Sequence, residues 1–388
     1  MKKTLWMLGV AVAALTSCTE SEVLDVPESK VIAFEPFVGK PTRAVDDIEL
    51  DNLNNFYTYG ANSHETDADF DADDAGFNGT LFNGVTMAKV GQTNNYSYPQ
   101  NEWVKWEMDN YYRFAAYSNG NAKLTEVTPF WNESKTIKVK NDQGGLEPRT
   151  LNNLWGLTIT NYVREDEDLL IAVPAERSTV NNYGTQSAVN FTFEHALAKV
   201  IFRFQYTKPA ADKEYLRMRV KKFDVKTITK SNCDAFYHPD QATYINWASQ
   251  YDTAADVGEE LKSNITYFFN EALIPENSIG NLTSHYATDV FYMIPQKNNI
   301  IIDEIVVETV DDQGNDVESD DVVTAITTFK NVSLHIQDHE YWLPGYVYRY
   351  TASLTPGEDY IEFVASVTNW HDEADRDATL NGVTSAND

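Results

Sequence analysis

Cys18 is the residue with the clearest chemistry. The stretch Leu15-Thr16-Ser17-Cys18 follows a basic Lys2-Lys3 start and an apolar run from Leu5 to Leu15. In that order the small residues fit a signal peptidase, and the Cys18 thiol accepts a diacylglycerol. The apolar run is too short to span a bilayer, which predicts a cleaved lipoprotein signal. Lipidation consumes the Cys18 thiol, leaving Cys233 without a disulfide partner. Set between Asn232 and Asp234, Cys233 reads as an inert thiol. Asp252-Thr253-Ala254 matches a short O-glycosylation signal that would modify Thr253.

The remaining reactive side chains do not assemble into a site. Asp69, Asp71 and Asp73 alternate as in a calcium loop. Such a loop needs a glycine next and a bidentate acid at its twelfth position. Asp74 and Thr80 stand there instead, so the segment reads as a solvated acidic loop. His335 and His339 would share a face only on a helix. Val332, Leu334 and Ile336 alternate as in a strand, and no metal site is expected. His195, inside Phe193-Glu194-His195-Ala196-Leu197, reads as a hydrogen-bonded structural histidine. The sequence has no glycine-rich phosphate loop, nucleophile elbow or Cys–His set at recognisable spacing. The expectation is no enzyme, no catalytic residue and no cofactor.

Charge narrows the partners. Thirty Lys and Arg stand against 59 Asp and Glu among 388 residues, a formal charge of −29. Such a surface repels phosphate backbones, so nucleic acid is not an expected partner. The 22 Tyr, 19 Phe and 8 Trp favour β-structure. Two cysteines rule out a disulfide scaffold.

The elements that would position these groups read as strands. Residues 19–29 are polar and acidic, a tether. The segment Lys30 to Val38 then predicts a strand whose Ile32, Phe34 and Val38 share one face, and Pro36 confines it to a sheet edge. Gly39 to Ala44 reads as a loop. Short apolar or alternating runs follow, punctuated by Gly, Pro, Asn and Asp: 53–59, 103–106, 111–117, 155–160, 169–173, 188–193, 199–206, 216–229, 290–294, 300–310 and 322–329. A hairpin joins Tyr346–Leu354 to Tyr360–Val367 across Pro356-Gly357, with Ile361, Phe363, Ala365 and Val367 on one side. Ala254–Leu261 is the one candidate helix. This is the pattern of β-sandwiches. The polar stretch Glu176–Gln186 suggests a division into 44–180 and 187–388.

Taken together these pieces resemble the fimbrillin family, pilin-like lipoproteins of anaerobic Gram-negative bacteria. The likeness is carried by the lipobox, by Phe34-Glu35-Pro36-Phe37-Val38 running to Thr42-Arg43-Ala44, and by Phe191 to Val200. Tyr341 to Tyr348, Ile361-Glu362-Phe363 and Val367-Thr368-Asn369-Trp370 complete it. The resemblance implies an all-β chain of two tandem transthyretin-like Greek-key β-sandwich domains. It implies export to the outer membrane as a lipoprotein, then cutting by a trypsin-like protease in the leader loop. Here that bond is Arg43–Ala44, which makes residues 19–43 a removable leader and other fimbrial subunits the head-to-tail partners.

Physical chemistry gives that leader a role. Losing an edge strand exposes an apolar groove and an unpaired backbone ladder. A neighbour's strand fills both by β-augmentation, and a head-to-tail contact that does not close builds a filament. In stalk subunits of the family the C-terminal segment is the donor. Here His371–Asp377 is strongly charged, and Ala378, Leu380 and Val383 are the apolar side chains of the tail. That thin donor points to an anchor, minor or tip subunit. The alternative is a lipid-anchored, non-polymerising lipoprotein that binds a host or bacterial surface glycan or protein.

Overall fold

The computed structural model describes residues 30–38, 53–64, 76–77, 79–91, 95–120, 123–140, 146–165, 167–179, 187–207, 216–239, 243–250, 262–268, 274, 286–287, 290–296, 300–311, 322–334, 342–357, 361–370 and 379–380. Cys18, Arg43, Ala44, Thr253, Val383, the Asp69–Asp73 run, the Ala254–Leu261 segment, His335 and His339 lie outside the described residues.

The strands are β1 (Phe34–Val38), β2 (Asn55–His64), β3 (Gly79–Lys89), β4 (Tyr96–Ser97), β5 (Asn110–Ser118), β6 (Val127–Lys140), β7 (Leu146–Val163), β8 (Leu170–Ala172), β9 (Arg177–Ser178), β10 (Val189–His195) and β11 (Ala198–Tyr206). They continue as β12 (Leu216–Ile228), β13 (Lys230–Tyr237), β14 (Thr243–Trp247), β15 (Lys262–Phe268), β16 (Tyr286–Ala287), β17 (Phe291–Met293), β18 (Ile300–Asp311), β19 (Val322–Leu334), β20 (Tyr346–Leu354), β21 (Glu362–Asn369) and β22 (Thr379–Leu380). The fold is all-β; β12, β18 and β19 fall on alternating runs of the sequence, whereas β3 and β6 do not. β10 alternates too: Val189, Phe191 and Phe193 are buried while Asn190 is exposed.

Four sheets result. The first runs β1-β10-β8-β5-β2-β3-β4, with β9 on β5; the second runs β14-β13-β7-β6. The third runs β16-β11-β20-β21-β22, with β17 on β11; the fourth runs β15-β12-β18-β19. Pairing is antiparallel except for β1 with β10 and β11 with β20. The third and fourth sheets enclose a core of Phe202, Phe204, Phe223, Ile302, Ile305, Tyr350 and Phe363. The first and second enclose Tyr57, Tyr117, Leu157, Ile159, Cys233 and Trp247.

The 44–180 and 187–388 division expected from the polar stretch does not coincide with this pairing. β10, which follows that stretch, pairs with β8 and β1, and β13 pairs with β7. Ala196 and Leu197 are buried with Trp247 and Leu169 on one side and Val347 and Trp370 on the other. Strand pairing thus continues across that stretch of the sequence.

The central strands of the first sheet, β2, β5 and β8, are buried on both faces. Tyr57, Tyr59, Ala115, Tyr117 and Ile171 face the second sheet. The intervening Phe56, Phe82, Phe114, Ala116, Leu170 and Ala172 line a separate core. The sheet rolls round that core until its two end strands, β1 and β4, come into contact. What fills the centre is the side chain of Phe34.

Candidate functional site

Phe34 belongs to β1, a strand of five residues at one end of the first sheet. Its ring lies 5.2 Å from Phe82, 5.6 Å from Phe114 and 5.4 Å from Phe191, stacked on the last at 12°. Those partners come from β3, β5 and β10, so one side chain ties together three strands of the sheet. Ile32 is also fully buried in this core. Phe37, on the opposite face, is 49 % exposed. Burying Ile32 and Phe34 contributes about 3–6 kcal/mol before the entropy of ordering the strand. Edge-to-face rings add about 0.5–1.5 kcal/mol per favourable pair.

The backbone is held on two sides. The register with β10 runs from Phe34↔Val189 to Val38↔Phe193, and Val189 N–H donates to Ala33 O at 2.8 Å. Peptide groups alternate in direction along a strand, so residues 33, 35 and 37 turn toward β10 and residue 36 turns away. The missing N–H of Pro36 therefore faces the free side, as the sequence required of a proline in a strand. Before β1 a second short ladder forms: Ile32 N–H donates to Val104 O at 2.8 Å and Trp106 N–H donates to Lys30 O at 3.0 Å. An isolated antiparallel bridge joins Val31 to Lys105.

Tyr98 completes the clasp, donating its hydroxyl to Ile32 O at 3.0 Å and accepting from Val104 N–H at 3.3 Å. Burial holds the Tyr98 phenol above its ordinary pKa, against a smaller lowering by the Val104 hydrogen bond. It stays a protonated donor through the neutral range. Withdrawing residues 30–38 would orphan Val189 N–H, Val104 C=O and Trp106 N–H, and would open the hollow around Phe82, Phe114 and Phe191. The arrangement can do no bond-making chemistry. It can hold an extended segment carrying alternate apolar side chains.

Ile32 and Phe34, two of the three apolar residues expected on one face of the leader strand, are buried in this core. For Val38 only the backbone, paired with Phe193, is described. The sequence pattern missed the clasp: Trp103–Trp106 reads as a strand, yet forms only the bridge at Lys105. The signal was the run of Tyr98, Trp103 and Trp106, aromatic residues in an otherwise polar stretch. Leu380, the proposed tail donor, is described only by its backbone, which pairs with Ala365 as β22 lies along β21.

His195 closes β10 and is structural. Its Nδ1 is 2.6 Å from Asp168 Oδ2, and its ring stacks on Trp370 at 3.9 Å and 4°. Trp370 N–H in turn donates to Gly345 O, and Gly345 N–H to Leu197 O. Positive φ at Gly345 (74°) is the conformation a glycine takes without strain. The chain thus leaves for its tail from a point pinned to the end of β10. Cys233 is buried in the core between the first two sheets. Burial, reinforced by Asp234, pushes its thiol well above the ordinary range, as an unreactive thiol requires. Among the described residues no cluster of three or more His, Cys, Asp or Glu could hold a metal ion.

A family model described as fimbrillin-like matches residues 42–370. Among solved structures, a fimbrial protein from Bacteroides vulgatus ATCC 8482 is similar at 12 % identity, with 88 % of this chain and 99 % of that chain covered and a TM-score of 0.53. A fimbrilin from Porphyromonas gingivalis W83 matches at 12 % identity over 88 % of this chain and 97 % of that one, with a TM-score of 0.35. No curated protein matches. The first likeness shows a shared β-sandwich fold, and the family match carries the identification. An all-β body matched over most of its length by that family model leads to one conclusion: the chain belongs to the fimbrillin-like family, structural proteins of cell-surface fimbriae rather than enzymes.

Proposed function

We propose that this fimbrial subunit is exported as a lipoprotein through Cys18, reaches the outer membrane, is cut after Arg43, and assembles by β-strand exchange. In the uncut chain β1 plugs its own groove. Cutting at Arg43–Ala44 leaves the leader bound by contacts alone, and a strand from a neighbouring subunit takes its place. One observation carries this reading: Phe34 fills the centre of the first sheet from a short end strand, and the residues just before it, Lys30 to Ile32, bond to residues 104–106. End placement is what a replaceable strand needs, because a strand at the end of a sheet leaves by breaking one ladder rather than two.

The incoming strand must run parallel to β10, present large apolar side chains at the positions of Ile32 and Phe34, and offer backbone partners to Val189, Val104 and Trp106. The tail beyond Trp370 has Leu380 and Val383 at odd spacing, so one of the two, with Ala378 beside Leu380, can face the groove in a regular strand. The test is an Arg43→Ala chain expressed in the producing cell. Loss of surface polymer with accumulation of lipidated monomer is expected. Normal polymer from that variant refutes maturation at this bond.

A further inference from the structure

Sheet edges invite pairing, and proteins guard them with proline, charge, irregular register or shortness. Most edges here are guarded. β4, β16 and β22 are two residues long, β14 is five and β15 is seven. β1 carries Glu35 and Pro36. β6 is long, but holds Pro129, Glu133, Lys135, Lys138 and Lys140 and breaks register twice against β7.

β19 is the exception. It has thirteen residues, no proline and no acid, and Lys330 is its one charge. Among the described residues it pairs only with β18, leaving its other side open. Its first half is exposed on both faces, and Val322 and Ile326 are each 64 % exposed, with Val323 also exposed. In a chain of formal charge −29, an acid-free β-branched strip is where a like-charged molecule meets least repulsion.

We propose that a second copy of this chain docks on this edge, β19 against β19, antiparallel about a two-fold axis at Ile326. In that register Ile326 meets Ile326, Thr324 meets Thr328, and Lys330 stands across from Val322. Each Lys330 then lies beside the sequence position where the acidic run ending Asp320-Asp321 joins the other copy's strand. The same attraction arises at both ends, as a self-complementary interface demands. Nine paired residues span about 30 Å. One strand pair is a small interface, so the dimer is weak and concentration-dependent. Raising salt strengthens it, because screening relieves the long-range repulsion between two acidic bodies. The pairing does not use β1 and stands independently of strand exchange.

The test is sedimentation velocity on the uncut chain, whose own leader strand excludes strand exchange, at 0.05 and 0.5 M salt over a wide concentration range. A reversible dimer, favoured by salt, is expected. Ile326→Lys, which places two ammonium groups on the axis, weakens it at least tenfold. Val163→Lys, at another exposed valine, leaves it unchanged. In a Cys18→Ser background, Ile326→Cys gives a disulfide-linked dimer on mild oxidation that the Cys18→Ser chain alone does not give. A chain that stays monomeric, or a dimer indifferent to Ile326→Lys, overturns the proposal. So does an edge that accepts an unrelated extended peptide without forming a dimer.

Discussion

Truncating Phe34 to alanine tests whether β1 is held by its side chains or by its ladder. The ring is buried and packs within 5.2–5.6 Å of Phe82, Phe114 and Phe191. Removing a buried phenylalanine costs about 3–5 kcal/mol, transfer and cavity together. β1 is an end strand, and this cost falls mainly on its own docking. The equilibrium between docked and released strand then shifts by about two to nearly four decades, at about 1.4 kcal/mol per decade. Hydrogen exchange reads this directly, because Ile32, Trp106 and Val189 N–H groups all bond across the clasp. In Phe34→Ala these amides exchange faster by that factor. In Phe37→Ala, on the exposed face, they change by less than about threefold, as surface substitutions do. Equal effects of the two substitutions, or a Phe34→Ala change under tenfold, would refute the view that the ring anchors the strand.

Arg113 is buried, with its Nε 2.6 Å from Glu176, Nη2 2.9 Å from Asn153 Oδ1, Nη1 donating to Trp131 O, and its guanidinium sandwiched between Phe77 and Trp155. Arg113→Ala leaves several of these groups unpaired and should cost about 3–5 kcal/mol, seen as an earlier transition in urea. Gly156→Ala should abolish soluble product, since a Cβ there would stand 1.9 Å from Ala235 O where β7 meets β13. Alkaline pH should unfold the chain through its buried phenols. Burial raises the pKa of Tyr59, Tyr98, Tyr162 and Tyr350 above the ordinary 10.0. A folded-state pKa above the unfolded one gives stability that is complete below about pH 10 and is lost as pH rises through the folded value. Urea midpoints should therefore hold from pH 7 to 9 and fall above 10, with tyrosinate absorbance appearing together with unfolding.

Much of this was legible in the residues. The spacing of Ile32 and Phe34 marks the face that enters the core, and Val189, Phe191 and Phe193 show the same alternation. The hairpin of β20 and β21 was visible because Pro356-Gly357 marks its turn and Ile361, Phe363 and Ala365 alternate. Other strands were hidden by local chemistry. β3 contains Gly79, Asn83 and Gly84. Gly84 takes a φ of 66° and falls opposite a register shift between Thr58 and Tyr59, so a glycine that reads as a loop supports a bulge. β6 contains Pro129 and several charges because it is an edge, and the same residues disguise it as a loop. The assignment of β10, β13 and β14 to the first two sheets was not legible. It depends on pairings between residues tens of positions apart, which no local periodicity records. The clasp of residues 104–106 on 30–32 was hidden for the same reason.

The measurement that bears most directly on strand exchange is the intact mass of subunits released from assembled fimbriae. The account predicts chains that begin at Ala44, with residues 30–38 absent and the groove of Phe82, Phe114 and Phe191 occupied by another subunit. Polymerised subunits that still carry residues 30–38 in place, with Phe34 protected as in the monomer, would contradict it.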